Sequence, residues 1–276
     1  MNSNRNLTDA DRQMLDHTLI TDVLFYPRRI DKSQVPDHDC GEKVMIDAGD
    51  VELGAYWFKP VENVPTVLLF HGNGEIMTDY LYDFHDHIAA LGYNFMVADY
   101  RGYGLSTGSP SLSTLLDDVH AVWEYLTEKR GTAPEDIIVM GRSLGSLAAL
   151  ELASGPARDA RALVIESGIG SFAGWIDRMA PMLEGLQVDV EALKSALKKG
   201  FDHEEKIKRY NGKVLVMHAP QDEIVPVGQG KQLARWGGEE RTRLHIFPRG
   251  GHNDIMFLNG EEYFRVLGEF LESASS

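Results

Sequence analysis

The sequence predicts an α/β protein with a mostly parallel central sheet. Short, continuously apolar segments recur along the chain, segments with helical spacing separate them, and 276 residues with 43% hydrophobic content can bury a large core. Continuously apolar strands are typical of a sheet that helices cover on both faces. Regular alternation of strand and helix then requires parallel neighbours joined by right-handed crossovers.

The sheet is expected to have about eight strands and to begin with an antiparallel hairpin. Residues 43–47 and 51–58 flank a short AGD connection, which is the hairpin pattern. Six further strands are predicted at residues 66–70, 94–100, 136–140, 161–166, 213–219 and 243–247. Helices are predicted at residues 78–91, 112–129, 144–154, 227–236 and 261–271.

Residues 170–210 interrupt this alternation, because they contain no strand-like run. Their short helical stretches have an apolar side that includes Trp175, Met179 and Met182. Two interpretations are open: a helix pair that only packs on the sheet, or a small lid whose apolar residues line a substrate pocket. Without an internal repeat or a linker, we predict one domain, residues 1–276, with a helical insertion at 170–210.

The charge balance restricts the class of partner. Lys and Arg total 27 against 42 Asp and Glu, so the formal net charge is -15, which disfavours binding to nucleic acids and to anionic lipid surfaces. No segment approaches the roughly 20 apolar residues of a membrane helix, and the polar start has no signal-peptide pattern. We expect a cytoplasmic protein that acts on small molecules without membrane insertion; its oligomeric state is not predicted.

Cysteine is almost absent. Cys40 is the single cysteine, which excludes an internal disulfide and a zinc site built from cysteines. The DHDC segment at 37–40 contains residue types that bind metals, but we interpret it as a solvated loop. No metal and no organic cofactor is predicted.

The segment GRSLGS, residues 141–146, follows an apolar strand and precedes a helix. In that context, G-x-S-x-G forms a sharp turn that presents the serine hydroxyl above the end of the strand. Gly141 and Gly145 are expected to be small because the strand and helix backbones pass close together. Ser143 is therefore a candidate nucleophile, and an inert turn serine is the alternative.

A serine nucleophile needs an oriented base. Asp222 follows the strand at 213–219 and His252 follows the strand at 243–247, so both lie at the sheet edge where open α/β folds bind ligands. Their order, acid before histidine, is the one expected after such a turn. Glu166, one strand earlier, and Glu223, next to Asp222, remain alternative acids.

The sequence resembles the α/β-hydrolase superfamily over nearly the whole chain. It is similar to small serine hydrolases with HGNG and DYRGYG motifs, a group that includes Bem46-like proteins and mammalian αβ-hydrolase-domain proteins. The matching motifs, in order, are HGNGE (71–75), DYRGYGLSTGSPS (99–111), GRSLGS (141–146), QDEIVP (221–226) and GGHND (250–254). The resemblance implies the α/β-hydrolase fold, with Ser143 as nucleophile, His252 as base and Asp222 as the acid that orients it.

The resemblance also implies an oxyanion hole. Its donors would be the backbone N–H groups of Asn73 and Leu144, although Gly74 could replace Asn73. Because only the backbone would act, we expect substitution of the Asn73 side chain to have little effect.

The implied reaction is acyl transfer to water. Carboxylic esters are the first expectation for the substrate, thioesters the second, including S-acylated proteins as in some relatives, and amides the third. A noncatalytic, ligand-binding member of the fold is the alternative class, although the three positions of the triad are all filled.

Overall fold

The computed structural model describes residues 7–58 and 61–274, which contain one eight-stranded sheet. The strands are β1 (Gly41–Asp47), β2 (Glu52–Phe58), β3 (Thr66–Phe70), β4 (Asn94–Ala98), β5 (Ile137–Arg142), β6 (Ala162–Glu166), β7 (Lys213–His218) and β8 (Thr242–Ile246). They lie in the order β1-β2-β4-β3-β5-β6-β7-β8. The pairs β1–β2 and β2–β4 are antiparallel and the other pairs are parallel, which confirms the predicted fold.

Ten α-helices form within the described residues. They are α1 (Asp9–Leu15), α2 (Thr18–Leu24), α3 (Asp83–Ala90), α4 (Leu112–Glu124), α5 (Gly145–Ala153), α6 (Ala173–Gly185), α7 (Val190–Gly200), α8 (His203–Arg209), α9 (Val227–Gly237) and α10 (Ile255–Ser273). Among them, none is both long and apolar enough to span a lipid bilayer.

Both faces of the sheet are buried. Along β3, Leu68 and Phe70 belong to one hydrophobic cluster, whereas Val67 and Leu69 belong to the other. Side chains of a strand alternate between the two faces, so this division places a core on each side. The clusters explain why the strands read as continuously apolar.

The strand order brings the predicted motifs together. Because β3 and β5 are neighbours and Phe70 lies opposite Gly141, the loops that follow these strands leave the sheet side by side. The loops after β6, β7 and β8 leave the same edge, since these strands are parallel to β5. The loop after β4, which is parallel to β3, leaves this edge as well. The sheet therefore gathers six loops at the carboxyl ends of its parallel strands.

Residues 170–210 contain α6, α7 and α8 and no strand, as predicted. The helices α1 and α2 were not predicted from the sequence. Each has seven residues, which is too short for a clear periodic pattern, and the buried side chains of Leu15 and Ile20 indicate that packing stabilises them.

The helix α10 begins at Ile255, six residues before the predicted start at 261. Asn259 has a non-helical conformation within it, with φ -125°. The Asn259 side chain donates to the carbonyl groups of Arg249 and Ile255, which stabilises the kink. The helical spacing in the sequence is therefore regular only after this residue.

Candidate active site

Ser143 lies in a strained turn between β5 and α5. Its φ is +50°, in the left-handed region that serine rarely adopts. A Cβ atom added to Gly141 would collide with the carbonyl of Gly145, and one added to Gly145 would collide with that of Phe70. The two glycines are thus required for the close approach of backbones that presents the Ser143 hydroxyl.

The structure brings Ser143, His252 and Asp222 together. His252 Nε2 lies 2.8 Å from Ser143 Oγ, and His252 Nδ1 lies 2.8 Å from Asp222 Oδ2. All three residues are less than a tenth exposed. The imidazole therefore connects the hydroxyl with the carboxylate in one continuous chain of hydrogen bonds.

The Asp222 carboxylate is held on both oxygens. Oδ1 accepts from the backbone N–H groups of Ile224 (3.0 Å) and Val225 (2.7 Å), and Oδ2 lies 3.2 Å from His218 Nε2. Burial alone would raise the pKa of Asp222, but the hydrogen bonds from His218 and His252 hold that pKa well below its usual range. Asp222 is therefore ionised in the folded protein and fixed in orientation.

The alternative acids take other positions. The Glu166 carboxylate accepts hydrogen bonds from Arg142 Nε (3.0 Å) and the Tyr263 hydroxyl, and its contacts within the described chain do not include His252. Glu223 Oε2 lies 3.4 Å from the backbone nitrogen of His252 and not against the ring. Of the three carboxylates, only Asp222 reaches the imidazole.

Arg142, the variable residue of the G-x-S-x-G turn, forms a cluster beneath the serine. It is 9% exposed and pairs with Glu75 and Glu166. Its Nη2 donates to the carbonyl oxygen of His252 (2.9 Å) and lies 3.3 Å from Asn253 Oδ1. One guanidinium thus contacts the loop after β3, the end of β6 and the loop after β8.

The two carboxylates of this cluster lie next to backbone groups that shape the site. Glu75 Oε2 accepts from the backbone N–H of Gly72 (2.7 Å), and the Glu166 carbonyl accepts from that of Ser143 (2.8 Å). Burial would raise the pKa of Glu75, but Arg142 lowers it below its usual range. The cluster therefore fixes the HGNG loop and the serine turn relative to each other.

A pocket of about 380 Å³ opens above Ser143. Most of its lining is apolar, and the lining residues come from α2, the loops at the sheet edge, α6 and the segment that begins α9. They are Val23, Leu24, Tyr26, Asn73, Leu112, Arg142, Ser143, Leu144, Ile169, Ser171, Phe172, Trp175, Arg178, Ile224, Val225, Pro226, Gln229, His252 and Asn253.

The predicted lid residues separate into two groups. Trp175 lines the pocket, whereas Met179 and Met182 lie on the same helix but do not belong to the lining. Met179 packs against the hydrophobic core, and Met182 is 41% exposed. A helix advances about 1.5 Å per residue, so both methionines lie further along α6, away from the end that reaches the pocket.

Asn73 and Leu144 line the pocket beside Ser143. Within the described chain, neither backbone N–H donates to a protein acceptor. Two donors are thus available next to the serine hydroxyl.

The Asn73 side chain, whose substitution was expected to have little effect, forms three hydrogen bonds. Its Oδ1 accepts from the backbone N–H of Tyr26 (3.0 Å) and the hydroxyl of Tyr103 (2.6 Å), and its Nδ2 donates to the carbonyl of Leu24 (2.8 Å). One of these hydrogen bonds comes from Tyr103 in the loop after β4, and the other two attach the segment at the end of α2 to the HGNG loop. This segment forms one wall of the pocket, and sequence reasoning missed it.

Three potential metal ligands lie together elsewhere. Within the described chain, His38, His85 and Asp86 place one ligand atom each within 4.8 Å of the others. The His85 ring stacks on Phe58, and its Nδ1 lies 3.2 Å from Asp86 Oδ1. The group does not line the pocket, and we assign it no part in the chemistry of the site.

Sequence comparisons match this architecture. A family model described as serine aminopeptidase, S33, matches residues 62–186. The chain is 32% identical over 210 residues to protein Bem46 of Schizosaccharomyces pombe, covering 76% of this chain and 68% of that protein. It is 29% identical over 227 residues to human α/β hydrolase domain-containing protein 17C, covering 81% and 63%. The matches thus span about two thirds of the length of these relatives.

Solved structures agree on the fold. The Pyrococcus furiosus esterase Pf2001 matches with a TM-score of 0.67 at 19% identity, over 90% of this chain and 98% of that one. Est1E from Butyrivibrio proteoclasticus matches with a TM-score of 0.65 at 21% identity, over 84% and 98%. From the eight-stranded sheet and the similarity to Bem46, we conclude that this chain belongs to the α/β-hydrolase family, in its Bem46-like group.

Proposed function

We propose that this protein is a serine hydrolase that cleaves carboxylic esters through an acyl-enzyme. One observation carries the proposal: the His252 ring lies 2.8 Å from Ser143 Oγ on one side and 2.8 Å from Asp222 Oδ2 on the other. A serine that is hydrogen-bonded to an oriented base is the arrangement that acyl transfer requires.

In the first step, Ser143 Oγ attacks the ester carbonyl while His252 Nε2 accepts the hydroxyl proton. Asp222 accepts a hydrogen bond from His252 Nδ1 and stabilises the imidazolium that forms. Because Asp222 is fixed by Ile224 and Val225, the ring is oriented before the substrate arrives.

The carbonyl oxygen becomes negatively charged in the tetrahedral intermediate. The backbone N–H groups of Asn73 and Leu144 are positioned to donate to it, and donors of this kind lower the barrier by about 3 to 4 kcal/mol each. They need no rearrangement, because Glu75 fixes the HGNG loop and the helix α5 fixes Leu144.

The intermediate then collapses. His252 donates its proton to the alcohol oxygen, the ester C–O bond breaks and the acyl group remains on Ser143. Water enters, loses a proton to His252 and attacks the acyl carbon, which releases the carboxylic acid and restores the serine. The proposed steps balance in atoms and protons with the ester, water and these side chains, without a metal or an organic cofactor.

The pocket supports an ester with an apolar portion. Its apolar lining includes Leu24, Phe172 and Trp175, which favours hydrocarbon groups. The matching family model is named for an aminopeptidase, and an enzyme of that type must bind a free amino terminus. Among the described residues that line the pocket, none carries a carboxylate that could pair with an ammonium group. Esters therefore fit this pocket better than peptides.

We also propose that the chain acts as one domain in which residues 170–210 cover the site. The helix α6 contributes Trp175 and Arg178 to the pocket, and α7 packs beneath α6 through buried residues such as Leu193 and Leu197. A helix pair that only packed on the sheet would not reach the pocket.

Intact-mass analysis with a fluorophosphonate tests the nucleophile. We expect one adduct on the wild type and none on Ser143→Ala, because only an activated serine reacts with the reagent. The free energy of unfolding of the variant, measured with denaturant, should stay within about 1 kcal/mol of the wild-type value. A folded wild type that carries no adduct would contradict the assignment and leave a ligand-binding protein.

A substrate panel tests the reaction class. Matched oxygen esters, thioesters and amides of one acyl group should be hydrolysed with the highest kcat/KM for the oxygen ester. A higher kcat/KM for the thioester would replace the esterase assignment with a thioesterase and leave the triad unchanged.

A further inference from the structure

Arg178 is the charged residue in the pocket that the proposed mechanism does not use. It lies on α6 and is exposed, and its side chain contributes to the lining of the pocket that contains Ser143. Trp175, three residues earlier, lines the same pocket, as expected for residues that share a helix face.

The guanidinium of Arg178 extends back along the helix. A Cβ atom added to Gly174 would lie 3.8 Å from Arg178 Nη1, so the group lies near Gly174, four residues earlier. Side chains on a helix lean towards its amino terminus, which here is the end of α6 that reaches the pocket. The guanidinium therefore lies about one turn closer than its own Cα to the end of α6 that reaches the pocket.

No carboxylate neutralises this charge. Across residues 7–58 and 61–274, Arg178 forms no ion pair within 4.0 Å, although the whole chain has 42 acidic residues against 27 basic ones. The adjacent Asp177 lies 3.9 Å from Lys194 instead. Arg101 and Arg161, in contrast, both pair with aspartates.

The remaining lining strengthens the asymmetry. Among the described residues of the pocket wall, none is an aspartate or glutamate, and the other arginine, Arg142, is already paired with Glu75 and Glu166. Gln229 is satisfied by hydrogen bonds with the backbone of Ser171. Arg178 is thus a positive charge at an apolar pocket with nothing in the wall to bind it.

We propose that Arg178 selects esters that carry a second, ionised carboxylate, which its guanidinium binds while Ser143 attacks the ester carbonyl. The planar guanidinium matches a carboxylate with two parallel hydrogen bonds. The apolar lining between Arg178 and Ser143 accommodates the hydrocarbon segment that separates the two carboxyl groups. This inference rests on the proposed esterase function and adds its substrate class.

The test compares two esters that differ only in charge. Mono-para-nitrophenyl adipate and para-nitrophenyl hexanoate have the same chain length, and the ratio of their kcat/KM values cancels differences in enzyme concentration. A second pair, para-carboxyphenyl hexanoate and phenyl hexanoate, places the charge on the alcohol side. The pair whose ratio falls in Arg178→Gln identifies which side of the ester faces Arg178, because comparing the variant with the wild type cancels the intrinsic reactivity of each ester.

We expect Arg178→Gln to lower the ratio of charged to neutral ester about fivefold or more for one of the pairs. Arg178→Lys should give an intermediate ratio, because it keeps the charge and loses the planar fork. Raising the ionic strength should lower the ratio in the wild type more than in Arg178→Gln.

Arg235→Gln is the matched control. Arg235 is an exposed arginine on α9 that does not line the pocket, and its substitution changes the net charge equally. Equal ratios in the wild type and Arg178→Gln for both pairs would overturn the proposal, as would an equal loss in Arg235→Gln. If the wild type hydrolyses no ester and takes no fluorophosphonate, the esterase function fails first and the specificity proposal fails with it.

Discussion

Two arginines lie at the same pocket, and their surroundings differ in every respect. Arg142 lies in the part of the pocket wall next to Ser143, which we call the floor. It is 9% exposed and is surrounded by Glu75, Glu166 and the carbonyl of His252. Arg178 lies in the part of the wall that α6 forms, which we call the roof. It is exposed and has no carboxylate partner in the described chain. The floor is a closed network of paired groups, and the roof is open to a ligand.

This difference separates the fixed part of the site from its selective part. The floor holds the reacting groups in one geometry, because each contact there joins a loop of the site to another loop. The roof adds a charge and apolar surface that only a substrate can satisfy. Substitutions in the floor should therefore change the reaction rate and stability, and substitutions in the roof should change the choice of substrate.

The largest effect is expected for the acid of the triad. Asp222→Asn should lower kcat by about 10⁴, because the amide cannot stabilise the imidazolium and favours the wrong tautomer. Glu166→Gln should cost far less, since Glu166 contacts Arg142 and Tyr263 and not the imidazole. Steady-state kinetics on both variants shows which of them loses more kcat. A larger loss of kcat in Glu166→Gln would transfer the orienting role to that residue.

The next effect concerns stability. Arg142→Gln removes the cation and leaves the buried Glu166 and the partly buried Glu75 without their partner, so we expect a loss of about 3 kcal/mol in the free energy of unfolding. Urea unfolding measures it, with Arg178→Gln as the control, which should stay within about 0.5 kcal/mol. Similar losses in both variants would erase the distinction between floor and roof.

The smallest effect is a dependence of the free energy of unfolding on pH, which we expect from a buried histidine in the helical segment 170–210. His203 opens α8 and is fully buried, with Nδ1 2.7 Å from the carbonyl of Ile169. Burial, helped by the nearby Lys206, lowers the pKa of His203 to about 3. The contribution of His203 to stability is therefore complete above about pH 6.5, the value of an unfolded histidine, and is lost as the pH falls.

Between pH 6.5 and 5, this linkage should cost about 2 kcal/mol. His203→Gln should flatten that part of the curve, measured by urea unfolding at each pH, while His85, whose pKa is also lowered by burial, keeps its own share. An unchanged slope in the variant would show that protonation of His203 does not limit the stability of the folded protein.

The positions of the three residues of the proposed triad were predictable from the sequence, because each follows a recognisable apolar strand. Ser143, Asp222 and His252 occupy the loops after β5, β7 and β8, and parallel strands bring such loops to one edge. Local patterns of this kind contain both the strand and the turn, so no long-range information is needed.

The supporting groups were not predictable in the same way. Arg142 occupies a position that the G-x-S-x-G pattern leaves open, and its partners Glu75 and Glu166 are 67 and 24 residues away along the chain. The apolar character of Met179 and Met182 did not reveal how far along α6 they lie. A charged residue inside an otherwise uncharged turn was the one available signal for Arg142.

The attachment of Asn73 to the segment after α2 has a consequence for the divergence of this protein. The family match covers residues 62–186, but Val23, Leu24 and Tyr26 form a wall of the pocket from outside that region. Mutations in this short stretch can change which molecules are accepted while the three side chains of the proposed triad stay untouched. Directed evolution of new selectivity can therefore start from the codons of Val23, Leu24 and Tyr26, which line the pocket without belonging to that triad.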